Sequence, residues 1–152
     1  MSSLSFVVIY TDGGASPNPG LGGWAAVLCS PEHGREREIY GSEADTTNNR
    51  MELTAAIMAL RALKRPCRVE LHTDSTYLRN AFAKGWLEKW QKNGWKTSNK
   101  EPVLNQDLWQ ELLSLSQTHE IEWRWTKGHA EDALNNRCDA LVQKAKSEHG
   151  KA

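Results

Sequence analysis

Runs of strand-forming residues interrupted by glycine open this chain, and they restrict its fold more than any other feature. Residues 5–11 (SFVVIYT) are largely β-branched or aromatic, Gly13 and Gly14 follow, residues 20–23 are again glycine-rich, and residues 24–29 (WAAVLC) restart the apolar pattern. Branched and aromatic side chains suit a pleated, half-buried surface, whereas paired glycines interrupt it. The pattern predicts two strands that stop and start at the glycines. Residues 35–41, around Ile39 and Tyr40, supply a third, giving an antiparallel meander.

Past the meander the period changes. Residues 48–63 (NNRMELTAAIMALRAL) combine good helix formers with apolar residues at helical spacing, and they end before Pro66. Residues 68–73 (RVELHT) read as a strand, with Asp74 and Ser75 beginning a short helix. Helical patterns recur at 86–92, 106–116 and 134–146, while residues 120–126 (EIEWRWT) alternate like a fifth strand. The order predicts an α/β fold: a five-stranded mixed sheet, an antiparallel meander then parallel strands, flanked by helices.

At 152 residues the chain fits one domain, residues 1–152, with a core large enough to need no disulfides. Hydrophobic residues make up 39% and charged residues 25%, the balance of a soluble globular protein. Cys29, Cys67 and Cys138 are odd in number and widely spaced, which suits reduced, buried thiols. The opening residues lack a basic n-region and a cleavage site, and no stretch approaches the roughly 20 apolar residues that span a bilayer. A cytoplasmic protein without membrane association is expected. A formal net charge of zero weakly disfavours a nucleic-acid partner, so the distribution of charge has to decide.

Four acids stand where a purely structural protein would rarely put them. Asp12 ends the first strand and Asp74 the fourth, at sheet edges where neighbouring side chains converge; each also reads as a cap or turn aspartate. Glu52 shares a helix face with Ala56, Ala59 and Leu63, the face expected to pack on the sheet, where a carboxylate is costly to desolvate without a cation. It also reads as a first-turn glutamate at the end of the stripe, favoured by the helix dipole. Asp139 borders the stripe of Cys138, Leu141, Val142 and Ala145, as a residue on the edge of an amphipathic helix would. Spacing alone does not bring the four together.

The segments TDGGASPNPGLGGWAAVL, TTNNRMELTAAIMAL, HTDSTYL, GWKTSNKEPVLNQDLW and TKGHAEDALNNRCDAL resemble, in order, the signature segments of bacterial type 1 ribonuclease H, from residue 10 to about 146. The resemblance implies the ribonuclease H-like fold and an endonuclease that hydrolyses the RNA strand of RNA–DNA hybrids, leaving 5′-phosphate and 3′-hydroxyl ends. It implies that Asp12, Glu52, Asp74 and Asp139 bind metal. Hard oxygen ligands suit Mg²⁺, with Mn²⁺ as a substitute, and two ions in the substrate complex would clamp the attacking and leaving oxygens.

By the same resemblance His129, in the KGHA segment, aids proton transfer or product release without coordinating metal. Relatives often carry glycine soon after this histidine; here the segment is Glu131-Asp132-Ala133-Leu134, and the two extra acids are expected to alter metal preference or pH optimum. Between Lys84 and Lys100 there are five lysines against one acid, Glu88, with three tryptophans interleaved. The resemblance makes residues 84–104 a basic protrusion that grips the DNA strand through Trp86, Lys89, Trp90, Lys92 and Lys96, although rings in such a helix also serve the core. Glu88 and Glu101 dilute its charge.

Asn18, Thr47 and Asn48 fall where relatives contact the two backbones near the cut, and neutral amides and hydroxyls can donate to or accept from the RNA 2′-hydroxyl. Thr76 stands where close relatives carry glutamine, so its shorter reach leaves it out of the contact set. Residues 147–152 are expected to form a disordered tail, and the protein to be a monomer with no obligate protein partner. A catalytically silent hybrid-binding module is the alternative reading, disfavoured by the presence of all four carboxylates; a DNA-cutting enzyme on the same fold is disfavoured by the protrusion and the KGHA segment.

Overall fold

The computed structural model describes residues 4–97, 99–126 and 133–149. Its chain order is β1 (Ser5–Ala15), β2 (Gly20–Ser30), β3 (Arg35–Thr46), α1 (Asn48–Arg61), β4 (Cys67–Thr73), α2 (Thr76–Ala83), α3 (Trp86–Asn93), α4 (Gln106–Thr118), β5 (Glu120–Trp125) and α5 (Ala133–Glu148). The strands form one sheet in the order β3-β2-β1-β4-β5. β1 pairs antiparallel with β2, and β2 with β3, while β4 runs parallel to both β1 and β5. The α/β architecture expected from the sequence is the one observed.

The glycines do not stop the strands. β1 carries on through Gly13 and Gly14 to Ala15, and β2 already begins at Gly20. These glycines are thin places in a continuous ribbon, where the helices come closest. A Cβ on Gly13 would lie 2.5 Å from the carbonyl carbon of Met51 on α1, and one on Gly23 would lie 2.7 Å from the Val142 carbonyl oxygen on α5. Glycine is read here as a close approach of backbones and not as a turn.

Alternation along β1 sends Val7, Ile9 and Thr11 to one face and Tyr10 and Asp12 to the other. The first face builds the larger core with Leu53, Ile57 and Leu60 of α1 and with Trp109 and Leu112 of α4. The second is covered by α5, whose Cys138, Leu141 and Val142 pack on Ala25 and Val27 of β2. Trp109 is fully buried, and its Nε1–H donates to the Tyr77 hydroxyl at 3.0 Å.

The helix ends follow local chemistry. Thr47 caps α1 by accepting the Arg50 N–H at 3.1 Å, and Ser75 caps α2 by accepting the Leu78 N–H at 3.1 Å. α5 outlasts the expected helix. Ser147 and Glu148 belong to it, Tyr40 donates to Glu148 Oε2 at 3.1 Å, and the Ser42 hydroxyl meets His149 Nδ1 at 2.7 Å. The tail expected from residue 147 is therefore corrected for residues 147–149, because β3 offers this last turn polar partners; residues 150–152 lie outside the described residues.

Candidate active site

The four carboxylates come from four different elements. Asp12 lies on β1 and accepts the N–H of Gly13 at 2.9 Å. Glu52 projects from α1 beyond its first turn, which contains no acid, so the helix-dipole reading does not apply to it. Asp74 occupies the turn between β4 and α2, shaped by the Ser75 N–H donating to Thr73 Oγ1 at 3.1 Å. Asp139 sits on the exposed side of α5, one residue from buried Cys138.

Charge acts between neighbouring pairs of them: Asp12 feels Asp74 and Asp139, Glu52 feels Asp74 and Asp12, and Asp74 feels Asp139. Burial, and then the charges of Asp74 and Asp139, push Asp12 up to about 7 against the lowering effect of the Gly13 N–H. Burial raises Glu52 to about 7 as well; the Ser75 hydroxyl works the other way, and Asp74 and Asp12 add to the rise. Asp74 is raised by burial and by Asp139. Glu52 Oε2 is buried without a hydrogen-bond partner. Among the described residues the acids do not close on a common point tightly enough to form a ready-made metal cage. The array is gathered but open.

Beside it, loop and helix are tied through two asparagines. Asn48 N–H donates to Asn18 Oδ1 at 3.2 Å, and Asn48 Oδ1 accepts the Ala15 N–H at 2.6 Å. Both side-chain carbonyls are thus engaged, and each residue is left to present its NH₂ group. The expected mixture of donors and acceptors narrows to donors at these two positions. Thr47 commits its hydroxyl to the helix cap.

In the basic segment, Trp86, Lys89, Trp90 and Lys96 line one cleft together with Thr97. Lys92 is on α3 but does not line that cleft. Trp90 joins the cleft to the core, with ring centroids 5.9 Å from Trp86, 6.1 Å from Trp95 and 5.7 Å from Trp109. His129 and the pair Glu131-Asp132 lie outside the described residues. Sequence reasoning missed Arg79, which shares a cavity with Asp74; its i+3 spacing from Thr76 on α2 was the available signal.

The sequence model of the RNase H family matches residues 5–147. The ribonuclease H of Acetivibrio thermocellus is 60% identical over 90% of this chain and 91% of its own length. That of Thermoanaerobacter sp. strain X514 is 58% identical over 93% of this chain and 90% of its own. Among solved structures, LC9-RNase H1, described as a type 1 RNase H with the type 2 active-site motif, superposes with a TM-score of 0.83 at 31% identity, covering 97% of this chain and 74% of that one. The chain belongs to the RNase H family, as a type 1 enzyme of the bacterial kind.

Proposed function

We propose that this ribonuclease H cuts the RNA strand of RNA–DNA hybrids with the help of two divalent metal ions, leaving 5′-phosphate and 3′-hydroxyl ends. The observation that carries the reading is the burial of Asp12 and Glu52 beside other carboxylates: Asp12 feels Asp74 and Asp139, Glu52 feels Asp74 and Asp12, and Asp74 feels Asp139. No described lysine or arginine forms an ion pair with any of them. A buried, unpartnered Glu52 oxygen, with Asp12 and Glu52 each raised to about 7, forms with the neighbouring acids a donor set that a hard divalent cation satisfies. Mg²⁺ fits, with Mn²⁺ as a substitute.

The four carboxylates would hold the ions, which supply charge neutralisation at the phosphodiester and an activated water. The chain's own residues do the rest. Asp12 and Asp74 fix the site to the sheet edge, while Glu52 and Asp139 bring in the helices from either face. The NH₂ groups of Asn18 and Asn48 donate to the strand carrying 2′-hydroxyls. Lys89 and Lys96 take DNA-strand phosphates while Trp86 packs against sugar, and Lys92 adds charge from outside the cleft. His129 moves a proton or helps product leave. Three free thiols suit a cytoplasmic protein, and we take it to act as a monomer.

The test is cleavage of a labelled hybrid beside all-RNA and all-DNA duplexes, with Mg²⁺, Mn²⁺ or EDTA, by the wild type and Asp12→Asn. Metal-dependent cutting of hybrid RNA alone, lost in Asp12→Asn, is expected. Hybrid binding without cutting under either metal would make the chain a binding module.

A further inference from the structure

Beyond the C-terminal ends of β4 and β5 lies a cavity of about 270 Å³ walled by Thr73, Asp74, Thr76, Arg79, Trp125 and Thr126. Thr126 donates its N–H to the Thr73 carbonyl at 2.9 Å, which brings the two strand ends together under the start of α2. Three features of this cavity point to an anion. Arg79 is exposed and forms no ion pair among the described residues, although Asp74 lines the same space. Thr126 Oγ1 is buried and has no hydrogen-bond partner. Thr76 opens α2, lines the cavity and shares a helical face with Arg79, and the first-turn N–H groups of Thr76 and Tyr77 precede the Leu78 N–H taken by the Ser75 cap.

An arginine that ignores a carboxylate across a shared cavity leaves room for a group between them. Phosphate is the chemistry that answers a free guanidinium fork, a threonine hydroxyl and helix N–H donors together. Asp74 belongs both to this wall and to the carboxylate array, so a phosphate held here lies beside the proposed cut. We infer that Arg79, with Thr76 and Thr126, forms a subsite for an RNA-strand phosphate adjacent to the scissile one. The inference rests on the proposed hybrid-cutting function. The short side chain at position 76 keeps the cavity open, and Arg79 then supplies the hold on the RNA strand from the next turn of the helix.

The test pairs Arg79→Gln and Arg79→Lys with hybrids in which one RNA-strand linkage at a time is made neutral by methylphosphonate substitution, read both as equilibrium binding in Ca²⁺ and as steady-state cleavage in Mg²⁺. Arg79→Gln is expected to raise Kd and KM roughly tenfold, with kcat changed less than about twofold, and to lower the salt slope of binding by about one. Arg79→Lys should recover part of the affinity, because it returns the charge without the fork. At one linkage the neutral substitution should weaken the wild type and leave Arg79→Gln indifferent. Arg79→Gln that binds and cuts like the wild type, or a methylphosphonate penalty that is equal in both proteins at every position, overturns the subsite while leaving the hybrid reading intact. A wild type that neither prefers nor cuts hybrid overturns both. Thermal melting of Arg79→Gln, expected to be unchanged for an exposed residue with no ion pair among the described residues, shows that the fold is not the cause.

Discussion

Gly13 of β1 and Met51 of α1 touch backbone to backbone: the place where Gly13 would carry a Cβ lies 2.5 Å from the Met51 carbonyl oxygen. Each is the immediate neighbour of a carboxylate, Asp12 on one side and Glu52 on the other. The contact therefore sets the spacing between two of the four acids. Gly13→Ala must push α1 away or distort β1, and it is expected to cost about 2–4 kcal/mol, the range of overpacking against rigid backbone. Chemical denaturation measures the loss, and metal affinity should fall with it, because Asp12 and Glu52 move apart.

Burial of Asp12, with repulsion from Asp74 and Asp139 added to it, predicts a sign for stability in the absence of metal. Asp12 is held at about 7 in the fold against an ordinary value of 3.8, so the native state binds more protons than the unfolded chain between those values. Its contribution therefore falls as pH rises from about 4 to about 7. At pH 8 in EDTA, Asp12→Asn is expected to be more stable than the wild type by about 1–3 kcal/mol. Adding Mg²⁺ should reverse the order. Melting curves with and without EDTA decide, and a variant less stable than the wild type in EDTA would contradict the repulsion.

His119 carries the opposite sign. Its Nδ1 accepts the Cys67 N–H at 3.1 Å in a buried setting, which requires the neutral ring, and burial lowers its pKa from the ordinary 6.5. Stability from this group is present above about 6.5 and is lost as pH falls below it, because the unfolded chain takes up the proton first. His119→Asn is expected to cost about 1–2 kcal/mol at pH 7.5 and less at pH 5. Urea titrations of both proteins at the two pH values read the narrowing gap.

Tyr77 accepts the indole N–H of fully buried Trp109. Tyr77→Phe leaves that donor without a partner and should cost about 1–3 kcal/mol, read as a lower Tm. The same hydroxyl also accepts Asn105 Nδ2 at 3.4 Å. The link from α4 to the loop before it is therefore expected to loosen in the same variant, seen as faster amide exchange around residue 105.

The fold was readable where the side-chain period was strong: residues 48–63 as a helix, 68–73 and 120–126 as strands, and the meander ahead of them. The glycines misled because the code for a turn and the code for a close backbone approach are the same residue. Nothing local separates Gly13 in a strand from Gly13 after one; the helix that presses on it lies some forty residues further on. Of the acids, Glu52 announced itself by interrupting an apolar stripe, while Asp139 looked like a border residue and is indeed exposed. Only the docking of α5 brings its charge to bear on Asp12 and Asp74. The i+3 spacing of Arg79 from Thr76 was too weak a signal by itself, since the cavity that Arg79 shares with Asp74 exists only once β4 and β5 are paired beneath α2.

The two faces of the sheet are unequally covered, and the inequality falls across the four carboxylates. Asp12 and Asp74 come from β1 and from the turn after β4, and Glu52 from α1, the helix that packs on the larger core with Trp109. Asp139 rides on α5, held by the smaller cluster together with Arg137, which reaches Glu36 at 2.9 Å and Glu38 at 2.5 Å. Cooperative units of unequal stability open separately, the weaker one first. A molecule with α5 lifted still keeps most of its core and three of its four acids. Metal loading and the docking of the last helix would then become one equilibrium: ions held by Asp139 together with the other three acids would act as a latch, and the amide-exchange map in EDTA should show that latch released along α5 before any other helix.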